Sequence, residues 1–101
     1  MSDLLGILVA TDKHLGHVIN LTNAAREKGK KIEIFFTGAG VRLTQDPRFG
    51  ELVGKAKLSV CDTSFREFGF SPNVAGVGFE DFVTQARNAE MIKKCDRYVI
   101  F

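Results

Sequence analysis

The chain has 101 residues, of which 45% are hydrophobic and 26% are charged. This length and composition predict one globular domain over residues 1–101. The net charge of +2 is too small to indicate a nucleic acid or an anionic membrane as a partner. Residues 4–10 are apolar, but the run is too short to span a membrane. Asp3 stands where a signal peptide carries basic residues, so we expect a cytoplasmic protein.

Short apolar runs alternate with amphipathic runs along the whole chain. They predict strands at residues 4–10, 32–36, 58–61, 74–77 and 97–101. They predict helices at residues 15–28, 46–55, 63–68 and 79–94. In the last helix, the residues predicted to face inward are Phe79, Phe82, Val83, Ala86, Ala89 and Ile92. This alternation predicts the α/β class, as a three-layer α/β/α domain with a mainly parallel sheet of four to five strands.

Polar and glycine residues follow the carboxyl ends of three predicted strands. In a parallel sheet, ligands bind at that end of the strands. We therefore expect Thr11, Asp12, Gly38, Gly40 and Cys61 to lie near one rim. The pair Gly38 and Gly40 lacks the third glycine and the helix of a dinucleotide fingerprint, so a tight turn is the favoured interpretation.

Cys61 ends an apolar strand and precedes three residues that favour helix starts, Asp62, Thr63 and Ser64. A thiol at a helix start meets unpaired N–H groups and the positive end of the helix dipole, which favour the reactive thiolate. Asp62 opposes this effect if its carboxylate points at the sulfur, while Arg66 offsets it. The alternative is an unreactive cysteine buried at a strand end.

Four segments give the chain a resemblance to a known family. They are residues 7–10 with 21–29, residues 34–41 with their Phe-Phe-x-x-x-Gly-Val turn, the pair Cys61 and Gly69 separated by seven residues, and the closing strand 95–101. The chain resembles the DsrE/DsrF-like family, which includes the TusD-type sulfur-relay proteins. The resemblance implies a doubly wound α/β fold, a persulfide on Cys61, and assembly into homo- or hetero-oligomers with sulfur donor and acceptor proteins as partners.

The resemblance implies a site that needs no metal and no organic cofactor. We expect the backbone N–H groups of Thr63 and Ser64 to stabilise the thiolate, and Thr37 or Gly38 to form the opposite wall. His14 is a candidate proton donor near the rim, although a solvent-facing histidine is the simpler interpretation of both His14 and His17.

Three other functions remain open at this stage. The first is a non-catalytic oligomeric binding or assembly module of the same fold, and the second is a thiol redox sensor. The third is a receiver domain that uses Asp12 and Asp62. This chain lacks two features of such a domain, a second acid beside Asp12 and a lysine on the fifth strand. Cys95 lies at the amino end of its predicted strand, on the rim opposite Cys61, and we expect it to be structural.

Overall fold

The structure is a computed structural model that describes residues 3–101. Its strands are β1 (Leu4–Val9), β2 (Lys31–Phe36), β3 (Lys57–Cys61), β4 (Phe82–Val83) and β5 (Arg97–Ile100). Its α-helices are α1 (Leu15–Glu27), α2 (Asp62–Glu67) and α3 (Gln85–Lys94). Three 3-10 segments complete the described elements, at Gly38–Gln45, Pro47–Leu52 and Phe79–Asp81.

The five strands form one parallel sheet in the order β4-β3-β2-β1-β5. Side chains alternate between its faces, so Ile7, Ile34 and Val60 join the core under α1. Phe35 and Cys61 point to the other face, where they pack with Met91 of α3. Helices therefore cover both faces, and the predicted α/β class and the parallel sheet are confirmed.

The first half of the chain folds closely as its local sequence predicts. Leu15, Val18 and Ile19 are buried along one side of α1, as the helical spacing of apolar residues requires. Gly29 ends this helix with φ at +75°, a conformation that glycine adopts without steric cost. The chain then enters β2, which pairs with β1 from Leu4 opposite Lys31 to Val9 opposite Phe36.

The segments on either side of residue 46 are both 3-10 helices, although an α-helix was predicted for residues 46–55. The predicted helix 46–55 is shorter, at Pro47–Leu52, and the predicted turn 37–41 continues as a 3-10 segment to Gln45. Asp46 caps the start of the second segment, because its carboxylate accepts a 2.8 Å hydrogen bond from the N–H of Arg48. Pro47 takes the first position, where a missing N–H costs nothing.

The predictions for residues 74–84 are wrong. Residues 74–77 form no strand, because Gly76 has φ at +88° and a strand requires negative φ. The fourth strand is Phe82–Val83, which the sequence placed inside a helix, and α3 begins only at Gln85. Thr84 caps α3 by accepting a hydrogen bond from the N–H of Ala86.

The predicted inward face of the last helix is also wrong. Phe79 is 93% exposed and Ile92 is 47% exposed, and Ala86 and Ala89 are exposed as well. Met91 is the buried residue of α3. In residues 3–101, no helix is both long and apolar enough to span a membrane.

Candidate functional site

Cys61 occupies the carboxyl end of β3, where the chain turns from strand to helix without a linker. Its φ of −67° and ψ of 113° are extended, and α2 begins at the next residue, Asp62. On its edge side, Cys61 lies opposite Val83 of β4. The residue is 6% exposed, so its sulfur lies close beneath the surface of this rim.

Polar groups from three separate segments meet at this rim. The Oγ atom of Ser64 in α2 accepts a 3.0 Å hydrogen bond from the N–H of Gly38. The Nε2 atom of Gln85, at the start of α3, donates a 2.9 Å hydrogen bond to the Oγ1 atom of Thr37. Thr37 is itself fixed by a 2.9 Å hydrogen bond from its N–H to the carbonyl of Val9. The contacts therefore join α2 to the turn after β2, and that turn to α3.

The polar groups at this rim lower the pKa of the Cys61 thiol. Burial raises the pKa of Cys61, but hydrogen bonds from the hydroxyl and N–H of Ser64, the hydroxyl of Thr37 and the amide of Gln85 lower it. The donors outweigh burial, and the pKa lies below its ordinary value. Because these donors interact more strongly with a charged sulfur than with a neutral one, they favour the thiolate.

Asp62 does not counteract these donors. Its carboxylate accepts a 2.9 Å hydrogen bond from the Nε atom of Arg66, one helical turn further on. This ion pair is exposed and adds little stability, but it engages the carboxylate with a cation. Asp62 is absent from the groups that shift the pKa of Cys61.

The structure brings some of the predicted site residues together around Cys61. Thr37 and Ser64 lower the pKa of the thiol, and the N–H of Gly38 donates a hydrogen bond to Ser64. Thr63 is exposed and has no part in the shift of the thiol pKa. The backbone of Gly40 passes so close to the carbonyl of Val9 that a Cβ atom there would collide with it. Gly40 therefore permits a close approach of backbone segments.

Thr11 and His14 lie in a different part of the same rim. The N–H of Thr11 donates to the carbonyl of Phe101, and its hydroxyl is buried with no partner among the described residues. The ring of His14 stacks on His17 at 5.7 Å and approaches Phe101 at 6.2 Å. Both residues follow β1, which β2 separates from β3, and neither has a part in the pKa shift of Cys61.

Gln85 is the site residue that the sequence analysis missed. The predicted helix ran through it, which hid its position at the first turn of α3. Thr84, a favoured cap residue directly before Gln85, was the available signal. Arg87, two residues further on, makes two contacts that were also not predicted. Its guanidinium donates a 3.1 Å hydrogen bond to the Oγ of Ser59 and forms a 3.6 Å ion pair with Asp81. Arg87 thereby ties the segment that carries Gln85 to β3.

The chemistry of this site is that of a single thiol. Both cysteines are free, and the thiol of Cys95 approaches the carbonyl of Ile92. Residues 3–101 contain no group of three His, Cys, Asp or Glu side chains placed to hold a metal ion. A thiol with a lowered pKa and donors for its charged form is a nucleophile.

Comparison with known proteins gives one match and one absence of a match. The model of the DsrE/DsrF-like family matches residues 17–101, which include β2, β3, Cys61 and every segment that contacts it. A search of curated proteins gives no match. The family is generally associated with sulfur relay between partner proteins. Because the match covers most of the chain, the protein belongs to the DsrE/DsrF-like family.

Proposed function

We propose that this protein is a sulfur-carrier or sulfurtransferase subunit that holds sulfane sulfur as a persulfide on Cys61. The observation that carries the proposal is the meeting of Ser64, Thr37 and Gln85 at the rim where β3 ends in Cys61. Their polar groups lower the pKa of the thiol and so favour the thiolate. Family membership supports sulfur relay in general. The proposal assigns sulfur relay to the thiol sulfur of Cys61.

The proposed reaction is a pair of thiol exchanges. The Cys61 thiolate attacks the outer sulfur of a donor persulfide, and a sulfur–sulfur bond forms at Cys61 as the donor's bond breaks. The electron pair leaves on the donor's inner sulfur, which becomes a thiolate. An acceptor thiolate then attacks the outer sulfur on Cys61 and regenerates the Cys61 thiolate. The two steps balance without an oxidant, a reductant or a cofactor.

Sulfur exchange requires that a partner's sulfur reach a residue that is 6% exposed. We infer that movement of Gln85 opens this path, because its side chain is exposed, donates a hydrogen bond to Thr37 and lowers the pKa of Cys61. An exposed side chain changes rotamer within nanoseconds.

The low exposure of Cys61 also favours a second candidate function, a non-catalytic binding or assembly module in which the thiol is packed away. Large apolar side chains at the surface support oligomer formation in either case, since Phe79 is 93% and Phe68 is 42% exposed. A thiol redox sensor is the third candidate. It would show reversible oxidation of Cys61 without transfer of sulfur.

One experiment separates the sulfur-relay proposal from the packed module. The Cys95→Ser protein, which retains one thiol, is incubated with polysulfide, desalted and analysed by intact mass spectrometry. The relay proposal predicts a mass gain of one or more sulfur atoms that maps to Cys61 and is absent from Cys61→Ser. A thiol that gains no sulfur and is alkylated only in denaturant would establish the packed module instead.

A further inference from the structure

Basic side chains are concentrated at the rim opposite Cys61. A cleft of about 480 Å³ opens there beside the amino ends of β2 and β3, and we call it the amino-rim cleft. Its charged side chains are all basic, namely Arg26, Lys30, Lys31, Lys55 and Lys57. In a chain whose net charge is only +2, five cations around one cleft give a strong local positive potential.

At the rim that carries Cys61, in contrast, arginines are paired with carboxylates. There, Arg42 pairs with Asp12 at 3.1 Å, Arg48 with Asp46 at 3.3 Å, and Arg66 with Asp62 at 2.9 Å. Each of these arginines faces its own carboxylate. The positive charge of the amino-rim cleft therefore reflects the local placement of acids and not the composition of the whole chain.

The cations of the amino-rim cleft are only partly engaged. Arg26 donates to the carbonyl of Gly54 and Lys55 to the Oδ1 of Asn23, two neutral acceptors that leave both charges uncompensated. Lys30 forms a 3.5 Å exposed pair with Asp3. Within residues 3–101, Lys31 and Lys57 form no ion pair.

An apolar pocket of about 280 Å³ adjoins the cleft and shares Lys30 with it. We call it the leucine pocket. Its apolar lining is Leu4, Leu5, Leu21, Ala24 and Ala25. Lys28 and Arg97 add two more cations to its edge, against one acid, Asp96. A basic cleft thus continues into an apolar depression with a largely basic edge.

We propose that the amino-rim cleft and the leucine pocket together bind an acidic, amphipathic segment of a partner protein. Carboxylates of the segment would lie along Lys31 and Lys57, and an apolar side chain would enter the leucine pocket. Such a ligand neutralises the repulsion among the cations and buries apolar surface in one event.

The observations favour a protein segment over a nucleic acid. The amino-rim cleft is lined by no aromatic side chain in the described chain, whereas single-stranded nucleic acids bind through stacking on aromatic residues. Its one arginine is turned to a carbonyl, although arginine is the residue best suited to grip phosphate with two hydrogen bonds. The leucine pocket suits an apolar side chain, which a phosphate backbone does not offer.

This site is separate from the sulfur chemistry. Lys57 begins β3 and Cys61 ends it, so about 13 Å of strand lies between them. A segment bound at the amino rim leaves the thiol free. The inference therefore does not depend on the proposed function, and Cys61→Ser is expected to bind the segment as the wild type does.

The test is an NMR titration of the ¹⁵N-labelled full chain with a blocked synthetic peptide of repeating Glu-Leu-Glu sequence. We expect saturable shifts of amides in residues 26–32 and 54–57, with an affinity that falls as salt is added. A matched peptide with Gln in place of Glu is expected to bind much more weakly. An oligouridylate of equal charge provides the nucleic-acid comparison.

Two double variants locate the site. Lys31→Gln/Lys57→Gln is expected to weaken peptide binding between about threefold and thirtyfold, from two partly exposed charge pairs. Lys13→Gln/Lys93→Gln removes the same charge from exposed lysines elsewhere and is expected to leave the affinity unchanged. Equal losses in both variants, shifts centred on Cys61, equal binding of the neutral peptide, or tighter binding of the oligouridylate would each overturn the proposal.

Discussion

Replacement of Ser64 by alanine tests the electrostatic account of Cys61 at its strongest donor. The Oγ atom of Ser64 already accepts a hydrogen bond from the N–H of Gly38, which leaves its own proton free to donate to the sulfur. This hydroxyl heads the groups that lower the pKa of Cys61. The Ser64→Ala variant keeps the backbone N–H but loses this donor, together with the acceptor for the N–H of Gly38, so the pKa of Cys61 should rise.

The size of the effect follows from the strength of a hydrogen bond to a charged group, about 1.5 kcal/mol at the lower end of its range. That energy lowers the thiolate population about tenfold at a pH below the pKa. A more basic thiolate is also a better nucleophile, with a Brønsted coefficient of about 0.4–0.5. The net result is a rate of disulfide exchange about three- to fourfold slower at low pH and about threefold faster at high pH.

The assay measures the rate of reaction with a small disulfide reagent against pH, in a Cys95→Ser background with one thiol. The two pH profiles should cross, which a general loss of structure would not produce. Thr63→Ala is the matched control, because Thr63 is exposed in the same helical turn and has no part in the pKa shift. A Ser64→Ala profile that overlays the parent, or lies below it at every pH, would refute the reasoning.

Three further predictions concern the same rim. Gln85→Glu should raise the pKa of Cys61 more than Gln85→Ala does, because it adds a negative charge beside the thiolate as well as removing a donor; equal pH profiles for the two variants would contradict this. Gly40→Ala should lower the free energy of unfolding by about 1–3 kcal/mol, since the new Cβ collides with the carbonyl of Val9. Gly50→Ala, whose new Cβ meets no atom within 4 Å, should change it by less than about 0.5 kcal/mol. Thermal unfolding of both variants checks this pair. Because folding lowers the pKa of Cys61, its ionisation stabilises the fold above the unfolded pKa of about 8.5, and this contribution is lost as pH falls through the folded pKa. The difference in unfolding free energy between wild type and Cys61→Ser should therefore grow with pH. Denaturant unfolding at acidic and alkaline pH measures this difference. A constant or shrinking difference would show that folding does not lower the pKa of Cys61.

The sequence predicted the parts of the fold that local patterns determine. The apolar runs before Thr11, Thr37 and Asp62 have no competing interpretation, and each is a strand in the structure. Cys61 and its neighbour Ser64 could be placed because a strand leading directly into a helix is a local signal. The family was recognised from the same segments, and the family match over residues 17–101 confirms it.

The wrong predictions fall where the same residues fit both the spacing of a helix and the alternation of a strand. Phe82 and Val83 fit the apolar face of a helix as well as a short strand, and pairing with Val60 and Cys61 of β3 decides for the strand. Gln85 was missed because its hydrogen bond to Thr37 spans 48 residues of sequence. Contacts of that kind follow from the arrangement of the sheet and not from local propensity.

The central claim is that Cys61 both takes up sulfane sulfur and gives it away. The most direct measurement loads the Cys95→Ser protein with polysulfide, removes the excess, adds a thiol acceptor and follows the intact mass with time. We expect the added sulfur to leave Cys61 as the acceptor persulfide appears in equal amount, with no change in Cys61→Ser. A protein that never gains the sulfur, or gains it and holds it against the acceptor thiol, would contradict the account.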